Sequence, residues 1–517
     1  MKFFSTSQTR ELDKFTIENE PIASIDLMER AAQKVYVEVL RRVESNRNIL
    51  IFAGPGNNGG DALALARMLL KSTFNVQVLL LHNGKLSADC ETNRQRLLDR
   101  FPLALNEQTI NFKAPHIESN TVIIDGLFGS GLTRPLNGIF AIAVKWINES
   151  DCRVVAIDIP SGLQGEENLP LTPKGEQEKN TKIIKADYTF SFQFPKLAFL
   201  LPENAEFVGK WEVLDIGIHP QAIAETETAF YYLEKSDIQP IIKQRPTFSH
   251  KGTFGHVLIV AGSYGMAGAS VLSSKAALRS GAGLVTVHGP SSNRTIVQAN
   301  IPEVIFYADE NKNTITKLSK IENYNAIAIG PGIGTSIETA NMLEQFLKQQ
   351  KAPCILDADA LNIISQHPHL LEYIPKYSIL TPHPKEFERL LVKGCKNSFE
   401  RMQKASEMAQ NRNVIIVLKG AHTLIATPDG KLYFNSTGNS GMATAGTGDV
   451  LTGILAGLLS QGYTPEETAK LGVFIHGYAG NLALKTESEE SLIASDIICN
   501  LGETFRALKL QEQSFQR

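Results

Sequence analysis

The chain has 517 residues, more than one ordinary core accommodates at roughly 100–200 residues per domain, so two or three domains are expected. Hydrophobic residues make up 43% and charged residues 20%, a balance that fits a soluble globular protein and excludes a disordered, collagen-like or membrane-embedded one. With 51 Lys and Arg against 54 Asp and Glu the formal charge is −3, which leaves no global field to recruit polyanions and excludes generic nucleic-acid binding.

The first segment, residues 1–220, alternates apolar strands with amphipathic helices as parallel α/β proteins do. Strands are expected near 49–53, 76–81, 121–125, 153–158 and 187–192, with an edge strand near 211–216. Helices are expected near 8–16, 23–44, 61–71, 89–99 and 138–148. The polar stretch 164–182 reads as an exposed loop or lid. Residues 221–243 lose the strand rhythm and are expected to be a linker to a second domain, 244–517. There strands are expected near 256–261, 284–288, 326–330, 353–357, 378–381 and 414–418, then a hairpin over 422–435 turned by Asp429-Gly430, and long helices over 449–460 and 464–485. No short repeat points to a solenoid or propeller.

Cys90, Cys152, Cys354, Cys395 and Cys499 are odd in number, scattered and without C-x-x-C spacing, which suits a reducing compartment. The N-terminus lacks the apolar core of a signal peptide, and no apolar run reaches the ~20 residues of a spanning helix. A soluble cytoplasmic protein without membrane or nucleic-acid partners is expected, and self-association as a homo-oligomer is left open.

Gly54 to Asp61 (GPGNNGGD) follows a strand and opens a helix, where backbone N–H groups favour phosphate. It contains G-x-G-x-x-G, but the dinucleotide fingerprint needs an acid about 20 residues on, at the end of the next strand. Leu80-Leu81-His82-Asn83 stands there instead, so an ordinary dehydrogenase is disfavoured. The alternative is that these glycines only make a tight turn. Two more strands end in acids, Asp125 before GLFGSGL and Asp158 before IPSGL. Each Asp alone could simply cap its turn. On one strand-end rim, two acids and two glycine-rich loops favour a site. Asn58, Asp125 and Ser161 offer oxygen ligands for a hard cation. His367-Pro368-His369 has no further ligand spacing and H-E-x-x-H is absent, so transition-metal catalysis has no support.

GPGNNGGD, DGLFGSGL and AIDIPSGL, with Lys185-Ala186-Asp187 and Phe194-Pro195-Lys196, resemble the NAD(P)H-hydrate epimerase family over essentially all of 1–220. The resemblance implies a Rossmann-like, three-layer fold that interconverts the R and S epimers of hydrated nicotinamide dinucleotides and holds potassium. Carried over, Asn57, Asn58, Gly59, Gly60 and Asp61, and Gly129, Ser130, Gly131, Leu132, Thr133, Arg134 and Pro135, would contact substrate. Asn58, Asp125 and Ser161 would surround potassium, and Asp158 would act at the epimerising carbon. The family pattern has no counterpart for the long 164–182 insertion.

In the second segment, Asn439 to Asp449 (NSGMATAGTGD) runs into the apolar helix VLTGIL. Its small residues allow close approach of the backbone, its last N–H groups make an anion hole, and Asp449 stands where a base would take a proton beside a phosphate. The competing reading of Asp449 is a helix N-cap. Lys419 and the amides after it suit nucleotide phosphates, unless Lys419 is a solvated edge lysine. His383 and Lys385 could meet an anionic substrate or cap a surface helix. GSYGMAGA, GPGIG, LDADALN, TPHPKEF, LKGAHT and NSGMATAGTGDVLTG, in that order, resemble the ADP-dependent (S)-NAD(P)H-hydrate dehydratase family over about 244–510. The resemblance implies a ribokinase-like α/β fold that binds hydrate and ADP side by side, with phosphoryl transfer turning the hydrate hydroxyl into a leaving group. By carry-over Ala267, Gly332, Gly334, His383, Pro384, Lys385, Glu386, Phe387 and Asp449 face the hydrate, and Lys419, Gly420, Ala421, His422, Thr423 and Gly448 hold the nucleotide. Magnesium usually accompanies such chemistry.

Together these readings imply one bifunctional enzyme whose substrates are NADH hydrate, NADPH hydrate and ADP, with Asp158 and Asp449 as its catalytic residues, Asp449 as the base. The rivals are a ribokinase-like kinase that releases a stable phosphate ester, and a nucleotide-sensing module that binds without turnover.

Overall fold

The computed structural model describes residues 1–72, 74–167, 182–319, 321–391 and 393–509. Most of the expected 164–182 loop lies outside them. The chain divides into two compact units, Lys2–Thr228 and, from Ala229 onward, a second that also includes Met1.

In the first unit, strands β1 (Asn48–Ala53), β2 (Asn75–Leu81), β3 (Leu105–Gln108), β4 (Thr121–Gly126), β5 (Arg153–Ile157), β6 (Tyr188–Phe192) and β7 (Lys210–Leu214) form, among the described residues, one parallel sheet of order β3-β2-β1-β4-β5-β6-β7. Side chains alternate across it. Ile49, Ile51 and Ala53 pack with Val35 and Val39 of the helix Ser24–Arg42 and with Leu63 and Ala66 of Asn57–Lys71, while Leu50 and Phe52 pack with Val144 and Ile147 of Gly138–Glu149. Burial of each Val, Leu, Ile or Phe side chain among them contributes about 1.5–3 kcal/mol, so the two-sided apolar pattern of β1 requires helices on both faces, and three layers result.

The second unit contains β8 (Phe230–Leu233), β9 (His256–Val260), β10 (Leu284–Pro290), β11 (Ile305–Asp309), β12 (Ala326–Ile329), β13 (Ile355–Leu356), β14 (Ile379–Leu380), β15 (Ile415–Leu418), β16 (Leu424–Ala426) and β17 (Leu432–Asn435). Among the described residues they form a sheet of order β11-β10-β9-β12-β13-β14-β15-β16-β17-β8, antiparallel only in the two pairs that involve β16. The hairpin turns at Asp429-Gly430, with Gly430 at φ 84°. Because β17 runs parallel to β15, its carboxyl end reaches the same rim, and the chain continues along that rim to the helix Thr447–Ser460.

The expected 221–243 linker is corrected by the structure. Pro220–Glu225 is helical, and the aromatic stretch Phe230–Leu233 pairs with β17 through the register Phe230↔Leu432 to Leu233↔Asn435. Strands β3 and β11 also lay outside the expected set. No helix among the described residues is long and apolar enough to cross a membrane, and all five cysteines are free thiols.

Candidate functional sites

The first sheet reverses its strand order between β1 and β4, the position where open α/β sheets bind ligands beyond their strand ends. A cleft of ≈ 520 Å³ opens there. Of the expected residues, Asn57, Asn58, Asp61, Gly129, Ser130, Gly131, Leu132, Thr133, Arg134 and Asp158 line it; Gly59, Gly60, Asp125, Pro135 and Ser161 do not, whereas Arg10, Asp13, Gly56, Leu127, Phe128 and Phe192 do. The helix begins at Asn57 rather than near 61, so Gly59 and Gly60 are buried inside it. A Cβ on Gly59 would stand 1.8 Å from the Gly54 carbonyl oxygen, and one on Gly60 would stand 2.6 Å from Met28 Sδ. These two glycines permit close packing.

Asp158 follows β5 with φ 64°, a left-handed conformation that costs a non-glycine residue of order 1–3 kcal/mol and concentrates at functional sites. Its Oδ2 accepts from Ser130 N at 3.2 Å, and its Oδ1 lies 2.9 Å from Lys196 Nζ. Burial pushes this carboxyl up, but the adjacent Lys196 ammonium outweighs burial and holds it below the usual carboxylate range. Among the described residues Asp61 has no such cation: burial, then the charges of Asp158 and Asp13, push it well above the ordinary value.

Asp125 ends β4 fully buried. Its Oδ1 accepts from Ser161 Oγ at 2.6 Å and Leu127 N at 3.1 Å, and its Oδ2 from Ser161 N at 2.7 Å. Burial still prevails and raises it to about 6. Among the described residues no basic side chain lies within ion-pairing distance of it. Asn58 is buried too, and its amide nitrogen has no hydrogen-bond partner among the described residues. Glycine at 129 leaves open the space between Asn58 and Asp158: a Cβ there would lie 3.5 Å from the Asn58 amide carbon and 3.3 Å from Asp158 Oδ2.

The second sheet reverses order between β9 and β12. The loops that follow are tied together, Gly262 N to Pro331 O at 2.8 Å and Ser263 N to Gly332 O at 2.5 Å. Ala267 opens the helix Ala267–Arg279, and Gly332 (φ 60°) packs on Met266 and Ala269. Gly334 N donates to Asp359 Oδ2 at 2.8 Å.

Asp357, which sequence reasoning left without a role, lies at the centre of this rim. Its Oδ1 accepts from Lys419 Nζ at 2.9 Å and its Oδ2 from Thr452 Oγ1 at 2.7 Å. Lys419 Nζ is also 3.7 Å from Glu386 Oε2, and 3.6 Å from where Gly448 would carry a Cβ. Lys419 is therefore no solvated edge lysine: burial opposes its charge, but Asp357 and Glu386 prevail and raise it. Between Asp357 and Asp359, Ala358 takes φ 47°.

Asp449 is not the N-cap. That position belongs to Gly446 at φ 88°, and Asp449 is the third residue of the helix. Its carboxyl is pushed up to about 7, by burial first and then by Asp357, with Lys419 opposing. His383 does cap its helix: its Nδ1 accepts from Lys385 N and Glu386 N, and the Glu386 carboxylate returns to His383 N at 2.8 Å. Phe387 is fully buried beneath that helix, so its side chain packs the core. In the turn after Lys419, Gly420 N donates to Thr423 Oγ1 at 3.3 Å, and His422 Nδ1 lies 3.2 Å from Asn435 O. His476 also escaped sequence reading. Its Nε2 is buried without a partner among the described residues, and burial outweighs a bond to the Thr447 backbone and lowers the imidazole to about 4.

A further cleft of ≈ 500 Å³ lies where the helices Ala267–Arg279, Thr447–Ser460 and Ala494–Lys509 end. Two of its cations are engaged there: Lys243 Nζ reaches Gly462 O at 2.6 Å, and Arg245 Nη2 reaches Gly281 O at 2.5 Å. Such pairing suits the negative ends of helices.

Residues 257–502 match the family model described as NAD(P)H-hydrate dehydratase, and residues 24–198 match the one described as YjeF-related protein N-terminus. The chain is 34% identical to the bifunctional NAD(P)H-hydrate repair enzyme Nnr of Moorella thermoacetica, over 98% of this chain and 97% of that one. It is 30% identical to the enzyme of that name from Escherichia coli, over 92% and 88%. Among solved structures it is similar to the ADP/ATP-dependent NAD(P)H-hydrate dehydratase of Bacillus subtilis co-crystallised with ATP and magnesium, at 30% identity and a TM-score of 0.48 over 54% of this chain and 98% of that one. Another is a ribokinase-like superfamily protein of Enterococcus faecalis, at 29% identity and a TM-score of 0.47 over 55% and 98%. Two strand-end rims, each with a glycine-rich loop and a buried acid, thus occur in a chain matched along nearly its whole length, and the protein belongs to the family of bifunctional NAD(P)H-hydrate repair enzymes, which join an epimerase and a dehydratase in one polypeptide.

Proposed function

We propose that the cleft beside β1 and β4 is the epimerase site and the rim around Asp357, Lys419 and Asp449 the dehydratase site, acting in the cytoplasm on NADH and NADPH hydrates. The observation that carries the first assignment is the buried Lys196–Asp158 pair in a glycine-walled cleft: its carboxylate stays ionised beside the carbon to be inverted.

In the dehydratase, Asp449 takes the proton from the hydrate hydroxyl as that oxygen attacks the β-phosphorus of ADP and AMP departs. The ester so formed leaves as phosphate when the ring loses a neighbouring proton. Lys419, held by Asp357, and the amides from Ala445 to Gly448 face the transferring phosphoryl group. Magnesium would arrive on the nucleotide phosphates and neutralise their charge, with Asp357 and Asp449 the acids at hand.

Potassium fits the first site. Asp125 is a buried carboxylate without a cation, Ser161 Oγ lies beside it, and the unpartnered amide end of Asn58 supplies an oxygen if turned over. A monovalent cation there would offset the buried negative charge.

The test is recovery of reduced-nicotinamide absorbance from mixed-epimer NADH hydrate, with ADP, with ATP and with no nucleotide. Complete recovery with ADP is expected. Recovery that stops at the S fraction would overturn the first assignment, and a stable phosphorylated product would establish a kinase instead.

A further inference from the structure

Ring chemistry limits how an epimerase can work. Water adds across the C5–C6 double bond of a dihydronicotinamide with its proton at C5, because the cation left at C6 is stabilised by the N1 lone pair. The hydroxyl therefore sits on C6, beside nitrogen. One balanced route to inversion breaks the C6–O bond as the N1 lone pair forms C6=N1, and water adds to the other face of the planar iminium. The departing oxygen must gain a proton and the arriving one must lose one, so the site needs an acid on one face and a base on the other.

The cleft holds two carboxyl groups in unlike surroundings. Asp13 and Arg10 both line it beside Asp158, and they come from the helix Thr6–Asn19. Their i,i+3 spacing puts them on one face, while Leu12 and Thr16 bury another. Arg10 Nη2 donates to Gly131 O at 3.3 Å, which fastens this helix to the substrate loop. Asp13 is half-buried. Facing it are Lys196 from the segment after β6, Asp158 from the end of β5, and Asp61 from the helix Asn57–Lys71. Lys196 is committed to Asp158 at 2.9 Å, and among the described residues no basic group pairs with Asp13. Burial accordingly raises Asp13 to about 6, whereas Asp158 is held low. Two acids so separated divide into a proton donor and an ionised base. Asp13 lies before residue 24, where the matched family model begins.

We propose that Asp13 is the second acid–base group of the epimerase, giving its proton to the hydroxyl leaving C6 on one face while Asp158 receives the proton of the water that adds on the other. The inference rests on the epimerase reading of this cleft. In the forward step Asp13 loses a proton, the departing hydroxyl becomes water, the incoming water loses its proton to Asp158, and the iminium between them is flanked by carboxylates. The reverse step begins from protonated Asp158 and ionised Asp13. Both forms carry one proton on the pair, so turnover in either direction falls as pH rises above about 6, the value to which Asp13 is raised.

The test uses the full chain without nucleotide, so that the dehydratase is idle, and follows conversion of chromatographically pure (R)-NADH hydrate to the S epimer across pH. D13N is expected to lower kcat by about 10²–10⁴-fold with KM nearly unchanged and to abolish the alkaline limb, and D13E to restore part of the rate. D13N at wild-type kcat, or a loss confined to KM, overturns the proposal. Should D13N melt early, the wild-type pH profile and D13E decide: a flat profile above pH 6, or D13E no better than D13N, overturns it as well. D158A run alongside separates the two claims, because full epimerisation by D158A sinks the epimerase reading of the cleft, whereas an inactive D158A with an active D13N sinks only the role of Asp13.

Discussion

Lys196 Nζ stands 2.9 Å from Asp158 Oδ1 with both side chains almost wholly buried, 6% and 11% exposed. The pair cannot be dissolved from one side cheaply. Removing the ammonium leaves a buried, left-handed Asp158 without its counter-ion, a loss of about 3–5 kcal/mol for such pairs. Lys196→Met is therefore expected to lower the urea midpoint of the first unit and to raise the Asp158 carboxyl out of its ionised range. Epimerisation of a hydrate followed by chromatography should fall at least about 10-fold, since one pKa unit of mismatch already costs 1.36 kcal/mol. Unchanged epimerisation would show that Asp158 needs no cation.

Asp449 offers a prediction whose sign runs opposite for activity and stability. Its folded-state value near 7 exceeds the ordinary 3.8, so the base is ionised only above neutrality, and dehydration should fall as pH drops below about 7. A raised carboxyl in the fold destabilises it as pH rises from about 4 to about 7, because the unfolded chain ionises first. D449N should accordingly abolish ADP-dependent dehydration, leave epimerisation intact, and stabilise the second unit at pH 8 by on the order of 1–3 kcal/mol with little effect near pH 4. Melting curves at the two pH values, beside the two activity assays, check both halves.

Lys419 is shared by Asp357 at 2.9 Å and Glu386 at 3.7 Å, and it points toward Gly448. A charge-assisted hydrogen bond of this kind is worth about 1.5–3 kcal/mol. Lys419→Met should raise KM for ADP by about 10–100-fold, with KM for the hydrate far less affected. Steady-state kinetics with each substrate varied in turn would show it, and an equal rise in both would mean that Lys419 serves the rim as a whole.

The glycine-rich loops, the acids at strand ends and the central strands were legible because each is local: Thr121–Asp125 is a buried apolar run closed by an acid, and its neighbours repeat the pattern. What escaped reading is what depends on distant partners. Phe230–Leu233 looked like linker because β17, which it joins, lies about two hundred residues on. Leu105–Gln108 is a sheet edge with exposed Asn106 and Glu107, so it shows little apolar signal. Asp357 stood in a quoted motif, yet its partners Lys419 and Thr452 come from two other elements. Arg10 and Asp13 carry no glycine signature and reach the cleft only because the first helix packs over it.

Potassium binding should be visible without turnover. A cation bound to the folded state alone stabilises it by RT ln(1 + [L]/Kd), about 2.7 kcal/mol at a hundredfold excess over Kd. The first unit should thus melt higher in potassium chloride than in choline chloride of equal ionic strength, and D125N, which removes the buried charge, should abolish the difference. Equal melting temperatures for the wild-type chain in the two salts would exclude a potassium site beside Asp125.

Glycine at 59 and at 56 separates packing from permissiveness within one motif. A Cβ on Gly59 would meet the Gly54 carbonyl oxygen at 1.8 Å and its carbon at 2.7 Å, both backbone atoms, whereas one on Gly56 would find nothing within 4 Å. Helix and loop cannot both keep their places around the added methyl. Gly59→Ala should cost at least the upper end of the ~1–3 kcal/mol typical of overpacking and displace the helix that presents Asn57, Asn58 and Asp61 to the cleft, with epimerisation lost alongside stability. Gly56→Ala, at the N-cap with extended backbone, should leave the unfolding free energy measured in urea within about 0.5 kcal/mol of the wild type. If the two variants were equally stable, the glycines of this motif would serve ligand approach alone, and the close packing of helix on loop would not be what holds the site in place.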